Sequence, residues 1–298
     1  MKQGVLVIAH KNFEQLKKLI EFFDDDFYLY IHLDRKSKFS KAEIEALQTT
    51  RNVSFLSKQL SVNWGGGSLL KAILLLSKEA LKNESIEYFH LISGQDFPVK
   101  SCAYMKNYLI EHRGKDFLEN FELPAERWVY DGGLYRVLHF HFYDLFNART
   151  TIGRIINKVL TKVQRTLKIK RSLRKNFPPL FGGSGWWTLS YSTLAYVVDY
   201  AAEKPNFLKR FRYTFCAEEM YFQTIVMNSP LKQIVVNNNL RYIRWDQQFN
   251  DSPANLDETD YGDITRSAAF FARKLEYPVS KGLASRIEKH ISGAHSGG

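Results

Sequence analysis

The chain has 298 residues, is 45% hydrophobic, carries a formal net charge of +11 and contains only two cysteines, Cys102 and Cys216. That is ample apolar material for an α/β core and too few cysteines for a disulfide framework, which excludes a small secreted scaffold. No apolar run reaches the roughly 18 residues of a spanning helix. Residues 5–9 lack a signal-peptide cleavage pattern, so a cytoplasmic protein is expected. The positive charge asks for an anionic partner, whether nucleic acid, nucleotide phosphate or an acidic membrane surface.

Residues 5–9 are wholly apolar, as in a strand covered on both faces, and His10 and Lys11 follow. Asn12 and Gln15 have capping-box spacing. Phe13, Leu16, Leu19, Ile20 and Phe23 then recur at helical intervals. Residues 27–33 read as a second strand leading into Asp34, Arg35 and Lys36, and this β-α-β opening predicts a parallel sheet. Neither G-x-G-x-x-G nor G-x-x-x-x-G-K-[ST] occurs, which disfavours dinucleotide and P-loop binding. Asp34 stands where an acidic residue could hold a ribose hydroxyl; a solvated carboxylate at a strand end is the alternative. Asp24, Asp25 and Asp26 mimic a metal-binding D-x-D, yet they precede a strand, at the edge opposite a ligand crevice.

Residues 53–56 suit a third strand. Trp64, Gly65, Gly66 and Gly67 then open a helix, where exposed amides could meet an anion. A plain glycine turn with Ser68 as N-cap is the other reading. Residues 88–92 form a short buried strand whose carboxyl end presents Ser93, Gln95 and Asp96, where ligands of open α/β sheets sit. Residues 104–112 read as a helix. His139 and His141 alternate as on one strand face, without a third convergent metal ligand.

Residues 150–177 are rich in Lys and Arg and contain no acidic residue, with apolar side chains from Ile152 to Leu167 at helical spacing. Such a helix can lie on an anionic bilayer or dock, solvated, on its own domain. Its aromatics are not interleaved as base-stacking platforms, so no nucleic-acid partner is expected. Gly182, Gly183, Ser184 and Gly185, followed by Trp186 and Trp187, make a second glycine turn, fit for a sugar or for two core indoles. Glu218 and Glu219 open a helix, where the macrodipole favours carboxylates and where a general base would stay ionised. Residues 240–243 are strand-like and include Arg241. Residues 270–274 read as the end of a short helix closing in Arg273 and Lys274. Residues 292–298 form a small polar tail.

Together, residues 32–37, 64–69, 91–98, 182–187, 217–219, 239–241 and 271–274 resemble, in order, motifs of the core-2/I-branching N-acetylglucosaminyltransferase and peptide O-xylosyltransferase family (glycosyltransferase family 14). The resemblance runs from near residue 5 to about residue 276. It implies an α/β fold of GT-A type, with a Rossmann-like, mostly parallel central sheet flanked by helices. One catalytic domain would span 1–276, with a donor part at about 1–120 and an acceptor part at about 121–276. The basic helical insertion falls at about 150–177, and 277–298 would be a C-terminal helix and tail.

The implied activity is an inverting, metal-independent transfer of a sugar, foremost GlcNAc from UDP-GlcNAc, to a glycan or lipid-linked glycan hydroxyl. The setting would be bacterial surface polysaccharide synthesis, in the cytoplasm or peripherally on the inner membrane face. No cofactor beyond the donor is implied. UDP-xylose is the alternative donor, and a carbohydrate-binding protein without catalysis is the alternative class. Glu219 matches the family's catalytic base. Ala9, His10, Asp34, Arg35, Trp64, Gly65, Gly66 and Asp96 would line the donor, with Arg241, Arg273 and Lys274 gripping its diphosphate in place of a metal. Ser93, Gln95, Gly183, Ser184, Gly185, Trp186, Trp187 and Glu218 would face substrate. Gly185 departs from the Asp of xylosyltransferase relatives, which leaves the acceptor open.

Overall fold

The computed structural model describes residues 1–173, 175–246 and 252–293. The first part alternates strands and helices: β1 (Lys2–Ala9), α1 (Phe13–Glu21), β2 (Phe27–Leu33), α2 (Lys41–Gln48), β3 (Val53–Ser57), α3 (Gly67–Ala80) and β4 (Ile86–Ser93). β1 pairs in parallel with both β2 and β4, and β2 with β3. Along β1, Val5 and Val7 pack into one apolar layer with α1, while Leu6 and Ile8 join the opposite layer with α3. That two-sided burial is why the strand is apolar throughout.

Then come β5 (Asp96–Pro98), α4 (Cys102–Glu111), β6 (Asp116–Phe117), β7 (Phe121–Glu122), α5 (Tyr135–Leu138) and α6 (Thr151–Thr166). β8 (Phe181–Gly182), β9 (Thr188–Ser190), α7 (Tyr191–Glu203), α8 (Pro205–Arg210) and α9 (Glu218–Met227) follow. The last part holds β10 (Val235–Val236), β11 (Arg241–Ile243), β12 (Trp245–Asp246), β13 (Ser252–Pro253), α10 (Tyr261–Arg266), β14 (Phe271–Arg273) and α11 (Lys281–Gly293). The central seven-stranded sheet runs β10-β6-β9-β4-β1-β2-β3, mostly parallel, with β9 antiparallel to its neighbours. This mixed α/β architecture is the one expected.

Three local expectations are corrected. Residues 271–273 form a strand, not a helix end, parallel to β11 and antiparallel to β5. Phe271 and Ala272 are both fully buried, and consecutive buried residues suit a covered strand better than a one-sided helix. The Asn12 capping box does not form. Asn12 adopts a left-handed backbone and its amide donates to Glu276 at 2.8 Å, while Gln15 turns inward onto the carbonyls of Gly94 and Leu275. His139 and His141 lie in an irregular segment, both buried, with His141 bonded to the Tyr135 carbonyl. The aspartate triplet sits before β2 as foreseen: Lys106 bridges Asp24 and Asp26 at 3.0 and 2.6 Å, and Arg51 pairs with Asp25.

Candidate active site

The carboxyl ends of β1, β4 and β14 meet because β5 and β14 pair with Asp96 opposite Arg273. Leu275 N–H then donates to the Gln95 carbonyl. Asp96 is completely buried: one carboxylate oxygen accepts from the backbone and hydroxyl of Ser93 and, at 2.9 Å, from Arg273. Arg273 also lies 4.3 Å above the Trp186 ring. Gln95 is buried and spends its amide on Glu276. Asp96, Ser93 and Gln95 therefore build the floor of the crevice through bonds to one another and to Glu276, with Asp96 Oδ1 left without a partner among the described residues. Arg273 is likewise committed to Asp96.

Lys274 is different. Its ammonium makes no hydrogen bond or ion pair among the described residues, and partial burial, with Lys11 nearby, pulls its pKa down. Arg149 lies close enough to repel the protonated forms of both Lys274 and His10. Lys11 pairs with Glu276 at 2.8 Å, and His10 stands exposed at the end of β1, after the buried Ala9. At the end of β2, Asp34 accepts from the amides of Lys36 and Val62, and so pins the 60–64 segment that carries Trp64. Arg35 is exposed and donates to Ser61. The excess of cations over carboxylates here is an electrostatic seat for an anion.

The first glycine turn is already occupied. Gly65 needs its left-handed backbone (φ +75°), and a Cβ there would meet the Phe215 ring at 2.7 Å. Gly66 leaves room for the Asp144 carboxylate, which accepts from Ser68 N–H at 3.0 Å and from its hydroxyl. The positive end of α3 is thus satisfied by Asp144, and the Gly66 N–H donates to the Asn63 carbonyl at 3.0 Å. Gly66, not Ser68, is the N-cap residue.

Glu219 opens α9. Its carboxylate accepts from Arg136 at 2.5 Å, and Arg136 stacks 3.7 Å over Trp128. Glu219 keeps 29% side-chain exposure, so a substrate proton can reach it. Glu218 is buried, and that burial, with Glu219 beside it, pushes its pKa up to about 8. The Arg136 guanidinium is the counter-ion at this pair. Cys216, Glu218 and Glu219 bring their ligand atoms within 4.8 Å of one another. Burial and both glutamates push the Cys216 thiol up, so a protonated thiol and a protonated carboxyl make this a poor donor set for a cation. The second glycine turn packs on the same helix. Gly183 N–H donates to the Glu219 carbonyl, and Ser184 accepts from Gln223. A Cβ at Gly183 would run into Glu119, and one at Gly185 would sit 3.1 Å from the Glu218 side chain and 3.6 Å from that of Glu219.

A cleft of about 650 Å³ opens beside these groups. Trp64, Tyr135 and Tyr143 form one wall and Arg154, Lys158, Lys162 and Arg165 of α6 the other. Phe215 joins the cleft to Glu219, packing on Trp64, Tyr135 and Tyr143 three residues before Glu218. Trp64 is half exposed.

Two further expectations fail. Trp187 is fully buried against Phe222, a core indole rather than a sugar platform. Arg241 is buried, and its terminal nitrogens donate to the carbonyls of Leu91, Trp187 and Asn239 and to Thr188. Burial pulls its pKa down to about 9. Through these bonds it ties β4, β9 and β11 together, and only its Nε–H is left without a partner among the described residues. The sequence reading also missed Arg136, Asp144 and Arg149, and it took the α6 cations for a membrane or docking face rather than for a cleft wall. Spacing could not reveal Arg136, since 83 residues separate it from its partner.

A mostly parallel sheet with a cation-rich crevice at the carboxyl ends of its strands defines a protein of the α/β class with a ligand crevice in the usual place. Residues 5–266 match the model of the Core-2/I-Branching enzyme family, and the chain belongs to that family. Xylosyltransferase 2 of Rattus norvegicus is 25% identical over 317 residues, covering 99% of this chain and 34% of that protein. Xylosyltransferase 1 of Mus musculus is 24% identical, with 97% and 30% covered. The chain thus spans about a third of the length of these relatives. Among solved structures, the apo form of mouse Xyloside xylosyltransferase 1 aligns over 93% of this chain and 96% of its own, at 12% identity and a TM-score of 0.38.

Proposed function

We propose that the protein transfers a sugar from a UDP-sugar, foremost UDP-GlcNAc, to a hydroxyl of a glycan acceptor, with inversion at the anomeric carbon. The observation that carries this reading is Glu219: one ionised, solvent-reachable carboxylate, held by Arg136, next to an aromatic and cationic cleft. In the proposed step Glu219 takes the proton of the acceptor hydroxyl. That oxygen forms the new bond to the anomeric carbon while the bond to the diphosphate oxygen breaks and its electron pair leaves with UDP. Lys274, with Arg149 beside it, balances the charge growing on the leaving diphosphate, a role a metal would otherwise fill. Protonated Glu218 adds no second charge that would compete for Arg136.

The names of the relatives make UDP-xylose the alternative donor. A panel of UDP-sugars with glycan acceptors, comparing wild type with Glu219→Gln, tests the reading. Loss of transfer with retained UDP binding supports it. Transfer by the Gln variant at the wild-type rate would remove Glu219 from the chemistry.

A further inference from the structure

α6 is amphipathic in an unusual sense: its polar face is the buried one. Asn157 donates to the Phe146 carbonyl at 2.7 Å. Gln164 clasps Phe140 through both its oxygen and its nitrogen, at 2.7 and 2.9 Å. At roughly 3.6 residues per turn, the cations Arg154, Lys158, Lys162 and Arg165 fall on one flank of this anchor, facing the cleft. The apolar side chains occupy the face turned away. Ile152, Ile155, Val159 and Leu167 are more than half exposed, and Val163 is 44% exposed. None of them belongs to an apolar core of the protein. Ile156 and Leu160 are half-buried beside the anchor, but a helix that buries its amides and presents most of its isoleucine and valine to water is laid out for an apolar medium outside the protein.

Charge names that medium. From residue 145 to residue 198 the chain contains no Asp or Glu, while Lys and Arg recur along and beyond α6. An apolar arc bordered by cations on an acid-free stretch is complementary to a bilayer with anionic headgroups. A protein partner rich in carboxylates would meet the cations but not cover so broad an apolar arc.

We infer that α6 docks the protein on an anionic lipid surface, its apolar arc entering the headgroup–acyl boundary and its cations facing lipid phosphates. The geometry has a functional corollary that rests on the proposed transfer. The flank of α6 that walls the cleft would then sit at the membrane, so the acceptor entering it would be carried on a lipid.

The test is co-sedimentation of the full chain with neutral phosphatidylcholine vesicles and with vesicles containing phosphatidylglycerol. It compares wild type, Ile155→Ser/Val159→Ser and Lys168→Glu/Lys170→Glu, with thermal unfolding and UDP titration of each to confirm folding. None of the substituted residues lines the cleft. The expected result is binding to the anionic vesicles only, weakened about tenfold or more by either double substitution and by added salt. Equal binding to both vesicle types, no binding, or full binding by the serine variant would overturn the inference. So would a wild-type dimer that the serine variant breaks, since the arc would then serve a second copy. UDP titration and transfer to a soluble acceptor do not depend on vesicles, so failure here and failure of the transferase reading are distinguishable.

Discussion

Arg136 binds Glu219 at 2.5 Å on one side and lies flat on the Trp128 ring on the other. The contact fixes the carboxylate and keeps its charge beside a second glutamate that burial holds protonated. Replacing Arg136 with Met is expected to cut transfer by about 10²-fold or more, because the guanidinium that positions Glu219 is lost. Arg136→Lys should restore part of the activity, since a cation stays within reach of the carboxylate. Comparing kcat, KM and melting temperature of the three proteins checks this; an unchanged kcat with a lowered melting temperature would mean that Arg136 serves only packing.

Among the described residues the Lys274 ammonium has no hydrogen-bond or ion-pair partner, and it lies at the crevice with Lys11 and Arg149 nearby. Calorimetric titration of UDP in excess chelator should show binding, and Lys274→Ala should weaken it by about 2 kcal/mol, roughly thirtyfold. Binding that requires a divalent ion would instead point to a metal-dependent site.

Arg241 should behave in the opposite way, as a strut. Arg241→Met removes the side-chain bonds to the buried Leu91 and Asn239 carbonyls and one of the two bonds to the Trp187 carbonyl, which keeps the Leu91 N–H, at a cost of about 3 kcal/mol. The melting temperature should fall well below that of Lys274→Ala. If the protein keeps its stability and loses only UDP affinity, Arg241 reaches the nucleotide after all.

Glu218 gives stability a sign with pH. Its folded pKa, raised to about 8, exceeds its unfolded value, so between about pH 4.5 and 8 the folded state holds more protons. Its contribution therefore weakens as pH rises through that window, by up to a few kcal/mol. Glu218→Gln, neutral throughout, should flatten this slope. Denaturant midpoints from pH 5 to 8.5 would show it, and an unchanged slope would mean that Glu218 is ionised in the folded protein.

The central sheet was legible in the sequence because its strands are wholly apolar and its helices keep a regular period. Gly66 and Ser68 marked the right turn and the wrong ligand. A glycine shows only that space is needed, and the occupant, Asp144, arrives from 76 residues away. Arg241 and Lys274 looked alike as basic residues near strand ends. What separates them is which carbonyls lie within reach, and that depends on strand order, which no local pattern records. Residues 270–274 misled for a related reason, since three or four apolar residues followed by cations fit a helix end as well as a buried strand.

The pairing of β5 with β14 sets when the crevice can exist. Asp96 and Arg273 are 177 positions apart, and Lys274 and Glu276 reach His10, Lys11 and Asn12 only when β14 has docked. While a ribosome is still making the chain, the first β-α-β units can pair, but the anion seat lacks its lysine until residue 274 has emerged. Completion of the crevice is therefore a late event in the life of each molecule.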